Sequence, residues 1–182
     1  GSLEQDLARR DFTVDAMAVD LSQLGNEHTD VQLIDPFNGL NDLHQGVIRT
    51  VAETAFESDA ARLLRAVRLA AELGFSIDKK TEALIRRDSY LIASVAGERI
   101  REELLRLLAV SGAGQFLAYL DELRLLTAVF PELAESREVE QPKEHFWDVF
   151  DHSLKTVSAV DFLFRQGAWE YAGEEVLAAV PW

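Results

Sequence analysis

The chain has no cysteine among its 182 residues, and it has only four prolines and one methionine. The absence of thiols excludes disulfide bonds, thiolate metal ligands and cysteine nucleophiles from this sequence. That absence fits a cytosolic protein, so the cytoplasm is the expected location. No run approaches the roughly 20 consecutive apolar residues that a membrane-spanning helix requires, and we therefore expect no membrane partner.

Basic residues are also scarce, since 18 Lys and Arg stand against 32 Asp and Glu, for a formal net charge of −14. Affinity for nucleic acid comes largely from Lys and Arg that neutralise phosphates, so this balance argues against an extended phosphate-binding surface. Any contact with RNA must be local. The local basic spots are Arg9-Arg10, Arg62/Arg65/Arg68, Arg86-Arg87 and Arg99/Arg101/Arg106. Ordinary solvated helix charge is the simpler interpretation of Arg86-Arg87.

Hydrophobic residues make up 48% of the chain, enough for a substantial core. Residues 11–20 and 31–34 are β-capable and predict a short strand pair, residues 35–39 form a turn cluster, and residues 46–51 predict one more extended piece. Apolar residues at three- and four-residue spacing then predict helices at 57–73, 81–87, 98–110, 115–126 and 144–166. The predicted fold is mainly α with a small N-terminal β portion.

Two arginines and a carboxylate, Arg9-Arg10-Asp11, stand at the start of the first predicted strand. Paired arginines near a rigid element suit bidentate contacts to phosphate, and Asp11 could fix one of them in place. A structural ion pair is the simpler interpretation of the same three residues.

The second constellation is Asp59-Ala60-Ala61-Arg62, followed by Arg65 and Arg68. On one helix, Asp59 and Arg62 would project from the same face. The carboxylate could accept from the exocyclic amino group shared by adenine and cytosine, while the arginine donates to the neighbouring ring nitrogen or carbonyl oxygen. Guanine and uracil would leave buried groups unpaired, at about 1–3 kcal/mol each. An intrahelical salt bridge between Asp59 and Arg62 is the alternative.

Four segments occur in the order and spacing of known motifs, and together they resemble the bacterial-type CCA-adding enzymes and poly(A) polymerases. The segments are Arg9 to Ala16, Asp35 to Gly39 with Asp42-Leu43, Asp59 to Arg68 with Leu73-Gly74-Phe75, and Glu98-Arg99-Ile100 with Glu103-Leu104. The resemblance implies nucleotide binding by Arg9, Arg10, Asp11, Asp59, Arg62, Arg65 and Arg68, with Asp59 and Arg62 selecting ATP and CTP. It leaves Arg99 as an RNA or structural contact.

The family fold consists of a nucleotidyltransferase α/β head followed by helical neck, body and tail. By this resemblance we expect the end of the head at residues 3–52, a nucleotide-selecting and RNA-binding neck and body at 53–130, a linker at 131–143, and the start of an HD-like helical module at 144–182. The family's catalytic carboxylates, which hold Mg²⁺, precede these motifs. The expectation is therefore an internal fragment without catalytic residues, inactive alone, whose parent uses Mg²⁺.

Three positions depart from the family pattern: Asp15 replaces Asn, Asn38 replaces Gly and Ser58 replaces Glu. Asp15 would add negative charge near a triphosphate site. Residues 144–154 also resemble the opening helix of HD-type metal phosphohydrolases, with His152 as the first metal ligand. No histidine follows His152, so a complete HD site cannot form in this sequence, and a surface or packing role is the simpler interpretation.

The resemblance implies a parent that adds CMP and AMP from CTP and ATP to the 3′ end of tRNA. A poly(A) polymerase and a non-catalytic helical packing module are the alternatives. Without most of the head, apolar neck surface would be exposed, and we expect self-association through it.

Overall fold

The computed structural model describes residues 2–21, 32–137, 139 and 147–165. Helices dominate this part of the chain, which confirms the mainly α fold predicted from the sequence. The helices are α1 (Leu3–Leu7), α2 (Gly39–Gln45), α3 (Ala55–Ser58), α4 (Arg62–Leu73), α5 (Lys79–Asp88), α6 (Gly97–Leu108), α7 (Ala113–Glu122), α8 (Leu126–Val129), α9 (Glu132–Glu135) and α10 (Val149–Arg165). No helix in the described residues is long and apolar enough to cross a bilayer.

The strands form two separate two-residue pairs. β1 (Ala18–Val19) pairs antiparallel with β2 (Leu33–Ile34), as the sequence predicted. β3 (Val47–Ile48) lies in the extended piece predicted at 46–51 and pairs in parallel with β4 (Ser76–Ile77), a strand that the pattern did not predict. This parallel pair joins the N-terminal portion to the chain that follows α4.

Most of the predicted strand at 11–20 is wrong. Only Ala18–Val19 is extended in a ladder, while Thr13–Asp15 forms one turn of 3-10 helix and Phe12 makes an isolated bridge to Thr50. Polar side chains explain the difference, because they offer the backbone and each other local partners that compete with a ladder. The Asp11 carboxylate accepts from the Phe12 N–H at 3.0 Å, and the Thr13 hydroxyl donates to Asp42 at 2.7 Å.

Helix α4 is the central element of the core. Seven of its twelve residues are buried, and it packs against α6, β3 and β4. It ends at Gly74, which adopts the left-handed conformation at φ 68°.

The single helix predicted at 57–73 is interrupted. Asp59 is extended, at φ −157° and ψ 103°, and separates α3 from α4. Its carboxylate accepts a hydrogen bond from the Ala61 N–H at 3.2 Å, a side-chain turn that stabilises the break. The premise that Asp59 and Arg62 stand on one helix is therefore wrong, and only Arg62 belongs to α4.

Helices α5, α6 and α10 agree with the predicted periodicity, with shifted ends, whereas α1 and α2 were not predicted. The helix predicted at 115–126 divides into α7 and α8 around Arg124. The φ of 63° at Arg124 lies in the left-handed region, which a right-handed helix does not contain. α9 occupies one turn of the segment predicted as a linker, and α10 packs on α7, where Gly114 lies against Ser158. Residues 144–146 of the last predicted helix lie outside the described residues, and the predicted domain limits remain predictions.

Candidate functional site

An open cleft of about 280 Å³ lies where the segment after α1 meets the start of α4 and one face of α6. Five arginines and three carboxylates line it: Arg9, Arg10, Arg62, Arg65 and Arg99, with Asp11, Asp59 and Glu103. Six of the seven residues predicted to bind nucleotide therefore share one concave surface, together with Arg99. The exception is Arg68.

The Asp59 carboxylate is held by a bidentate pair with Arg99. Nη1 and Nη2 of Arg99 donate to Oδ1 and Oδ2 of Asp59 at 2.9 and 2.8 Å. The Arg99 hydrogen bonds lower the pKa of Asp59 below its ordinary value, and the same bonds raise the pKa of Arg99. Asp59 is thus a fixed carboxylate anion lining the cleft, with its side chain 32% exposed.

Arg62 does not pair with Asp59 in the described residues, so the predicted alternative of an intrahelical salt bridge is wrong. Its guanidinium donates instead to two main-chain carbonyls, that of Arg9 at 2.7 Å and that of Ala55 at 3.3 Å. Carbonyl partners fix the position of the guanidinium without neutralising its charge. Arg62 therefore offers the cleft an oriented cation whose plane is set by the segment before β1.

We expected Asp11 to fix Arg9 or Arg10 in place, but it fixes Arg65 instead. Its carboxylate accepts from Nε of Arg65 at 2.6 Å, and Asp15 lies 3.7 Å from Nη2 of the same guanidinium. Burial, followed by the negative charge of Asp11, raises the pKa of Asp15. Arg65 thus ties the N-terminal segment to α4 through two carboxylates.

Arg9 and Arg10 lie at the exposed end of the cleft. Arg10 pairs with Asp6 of α1 at 3.2 Å, and both side chains are more than half exposed, so this pair is weak. The guanidinium of Arg9 makes no ion pair within the described part of the chain. Both cations can therefore turn towards a ligand at little cost.

Arg68 lies inside the protein, and its side chain is only 1% exposed. Nε donates to Glu103 and Nη1 to Glu72, while Nη2 has no hydrogen-bond partner among the described residues. The structure therefore does not bring Arg68 into the cleft with the other predicted residues. Arg68 instead hydrogen-bonds Glu103 from the protein interior and so positions a carboxylate that does line the cleft.

The carboxylates of the cleft do not fit Mg²⁺. Asp11, Asp59 and Glu103 each accept from an arginine, and no three metal-type side chains lie together in residues 2–21, 32–137, 139 and 147–165. His152, the predicted HD-type ligand, stands on the exposed side of α10. These carboxylates therefore bind arginines, and none of them is assigned as a metal ligand.

The sequence-based site omitted Glu103 and the link between Arg65 and Asp15. Glu103 follows Arg99 by four residues on α6, so helical spacing alone places both side chains on one face. The contact of Asp15 with Arg65 has no such local signal, because 50 residues separate the two in the chain.

Two family models match the chain, and between them they include every cleft residue except those of the Asp59 to Arg65 segment. Residues 1–49 match the "Poly A polymerase head domain", and residues 74–136 match the "Probable RNA and SrmB- binding site of polymerase A". The fold and the matched models define a nucleotidyltransferase head portion joined to a helical region.

Named relatives narrow this class. The chain is 35% identical to the CCA-adding enzyme of Geobacillus thermodenitrificans over 99% of its own length and 47% of that protein's. It is 42% identical to the CC-adding tRNA nucleotidyltransferase of Geobacter sulfurreducens, over 71% of the chain and 29% of that protein. The crystal structure of the Bacillus stearothermophilus CCA-adding enzyme in complex with CTP matches at a TM-score of 0.61 and 40% identity, over 68% of the chain and 30% of that structure.

The chain belongs to the family of tRNA nucleotidyltransferases and bacterial poly(A) polymerases. It spans less than half the length of the curated relatives named above.

Proposed function

We propose that this chain is the nucleotide-selecting part of a nucleotidyltransferase that adds CMP and AMP from CTP and ATP to the 3′ end of tRNA. The observation that carries the proposal is the joint placement of Asp59 and Arg62 at one rim of an arginine-lined cleft. The printed names of the relatives, which include a tRNA nucleotidyltransferase and a complex with CTP, support the substrate class.

Base selection rests on a fixed acceptor beside a fixed donor. Arg99 occupies one acceptor site on each Asp59 oxygen and the Ala61 N–H occupies a second on Oδ1, out of about four such sites on a carboxylate. A free site remains for the amino group that adenine and cytosine share. Arg62, oriented by the Arg9 and Ala55 carbonyls, supplies the donor to the adjacent ring nitrogen or carbonyl oxygen.

Discrimination follows from the same fixed pair. Guanine and uracil present a carbonyl oxygen where adenine and cytosine present the amino group, so their oxygen would meet the Asp59 carboxylate. Because Arg99 prevents Asp59 from turning away, the repulsion cannot relax cheaply. A mismatched polar edge at such a site costs roughly 1–3 kcal/mol, which corresponds to about a ten- to hundredfold preference.

The remaining cations suit the triphosphate. Arg9 has no carboxylate partner in the described residues, and Arg10 has only the exposed Asp6. Arginine binds phosphate oxygens through two parallel N–H groups, so these two residues are the natural phosphate contacts. Arg65 and Arg99 position Asp11 and Asp59, and Arg68 positions Glu103. This division revises the sequence-based assignment, in which all of these arginines except Arg99 contacted nucleotide.

The parent protein provides the test of the activity. We expect the full-length enzyme, with Mg²⁺, to extend a tRNA lacking its 3′ CCA by CMP and AMP and to reject GTP and UTP. Asp59→Ala should lose the discrimination between the two nucleotide pairs, whereas Glu132→Gln, an exposed carboxylate outside the cleft, should keep it. Products of three added nucleotides support CCA addition, and long adenylate tails would assign the parent to poly(A) polymerases instead.

A further inference from the structure

Asp15 lies just outside the cleft lining and faces one of its cations. Its carboxylate is 3.7 Å from Nη2 of Arg65, whose Nε is already hydrogen-bonded to Asp11 at 2.6 Å. Two carboxylates therefore share a single guanidinium. The positive charge of Arg65 is fully compensated by Asp11 alone, so the charge of Asp15 is surplus and acts on the cleft.

The charge balance of the cleft depends on this surplus. Five arginines and three carboxylates line the cleft, a positive excess suited to a polyanion. Asp6 and Asp15, which pair with two of these arginines, bring the carboxylates to five. Counted together with Asp6 and Asp15, the five cleft arginines are matched in number by five carboxylates, apart from the Arg68–Glu72 pair behind Glu103.

Asp6 and Asp15 differ in how firmly they are placed. The Asp6 pair joins exposed side chains on one helical turn, and such a pair separates readily when a phosphate competes for the arginine. Asp15 ends a 3-10 turn whose Thr13 hydroxyl is bonded to the buried Asp42, and Arg65 is held in place by Asp11. The charge of Asp15 therefore stays near the cleft when a ligand arrives.

We propose that Asp15 sets the affinity of this cleft for the phosphate part of its ligand, weakening the hold on triphosphates without affecting the choice of base. The inference rests on the proposed function, since it assumes that the cleft binds a nucleoside triphosphate. One charge within about a Debye length, roughly 8 Å at physiological salt, of a ligand of about four negative charges changes affinity roughly three- to tenfold.

The experiment titrates this chain with inorganic triphosphate, ATP and GTP, in the wild-type form and as Asp15→Asn, Asp15→Glu and Glu132→Gln. We expect Asp15→Asn to bind triphosphate and ATP roughly three- to tenfold more tightly, with the ratio of ATP to GTP affinity unchanged. Asp15→Glu keeps the charge and should match the wild type. Glu132→Gln removes an equal charge from an exposed position on α9 and should also match it.

Salt dependence separates a charge effect from a structural one. The affinity gain of Asp15→Asn over the wild type should shrink as the salt concentration rises. Salt screens the repulsion between Asp15 and the phosphates in the wild type, so the substitution has less repulsion to remove. A gain that persists unchanged in 1 M salt, or equal affinities at low salt, would overturn the inference.

Failure of the inference and failure of the proposed function give different results. If the wild type prefers ATP to GTP but Asp15→Asn gains nothing, only the role of Asp15 is wrong. If Asp15→Asn gains affinity for triphosphate while neither chain distinguishes ATP from GTP, the charge role stands and base selection fails. Absence of triphosphate binding in every variant would overturn both.

Discussion

Both carboxylate oxygens of Asp59 accept hydrogen bonds from the guanidinium of Arg99, 40 residues further along the chain, at 2.9 and 2.8 Å. The partner that spacing predicted, Arg62, points to main-chain carbonyls instead. The pair ties the extended break before α4 to the face of α6. Asp59 is thus held by a side chain that belongs to a different motif, and its orientation depends on the packing of two helices.

Arg99→Lys should weaken discrimination between ATP and GTP. Lysine keeps the charge but lacks the planar fork that holds both Asp59 oxygens, so Asp59 gains freedom to turn from a mismatched base. We expect the ATP to GTP affinity ratio to fall at least threefold, measured by calorimetry. Arg101→Lys, two residues away and exposed, is the control and should leave the ratio as it is. An unchanged ratio in Arg99→Lys would show that Asp59 is fixed by other contacts.

The pH dependence of stability should include the Asp59 pair. The pKa of Asp59 is lower in the fold than in the unfolded chain, chiefly because of Arg99. Such a group contributes stability above its unfolded pKa, near 3.9, and loses it as pH falls through the folded value. Asp59→Asn should therefore be less stable than the wild type at pH 7, and the difference should be smaller at pH 2.

The size of this difference should be small. Arg99 is 53% exposed, so solvent screening keeps the contribution below about 1 kcal/mol. Urea unfolding at the two pH values measures it. A gap that is constant with pH would mean that the Asp59 carboxylate has the same pKa in both states.

Arg68→Ala should destabilise the fold by about 3 kcal/mol, because it removes a buried guanidinium that both Glu103 and Glu72 are hydrogen-bonded to. Arg86→Ala provides the control, since Arg86 is 38% exposed and pairs with Glu82 on the same helix, where the loss should stay below about 1 kcal/mol. Urea unfolding compares the two. Equal losses of unfolding free energy in the two variants would show that the buried network around Arg68 stabilises the fold no more than an exposed ion pair does.

Gly39→Ala should be destabilising by about 2 kcal/mol or more. An added Cβ at Gly39 would stand 2.0 Å from the Thr13 carbonyl oxygen, so α2 would have to move away from the 3-10 turn. At Gly97 nothing lies within 4 Å of the same atom, and alanine there should stabilise slightly by restricting the unfolded chain. Thermal unfolding of both variants tests the difference, and a Gly39→Ala midpoint equal to that of Gly97→Ala would refute the close contact.

The longer helices could be predicted from the sequence because each presents an apolar stripe at helical spacing, whereas the short α1, α2 and α9 could not. The breaks could not, since they depend on single residues. At Asp59 a side-chain hydrogen bond to the Ala61 N–H competes with the helix, and at Arg124 a left-handed residue ends α7. The two-residue strands carry too few side chains for a period to be visible, which explains why β4 was missed and the strand at 11–20 was overextended.

The composition of the cleft was largely predictable, whereas its pairing was not. Arg9, Arg10 and Asp11 are adjacent in sequence, and Arg62 and Arg65 share one helix, so local reasoning groups them. The pairs that fix the geometry, Asp59 with Arg99 and Asp11 with Arg65, span 40 and 54 residues. Only the packing of α6 and the N-terminal segment on α4 determines which arginine each carboxylate meets.

The most direct test of the account is a calorimetric titration of this chain with ATP, CTP, GTP and UTP, in the wild-type form and as Asp59→Asn, with Glu132→Gln as control. We expect the wild type and Glu132→Gln to bind ATP and CTP at least tenfold more tightly than GTP and UTP, and we expect Asp59→Asn to lose this preference. Equal binding of all four nucleotides by the wild type, or a preference that survives in Asp59→Asn, would contradict it.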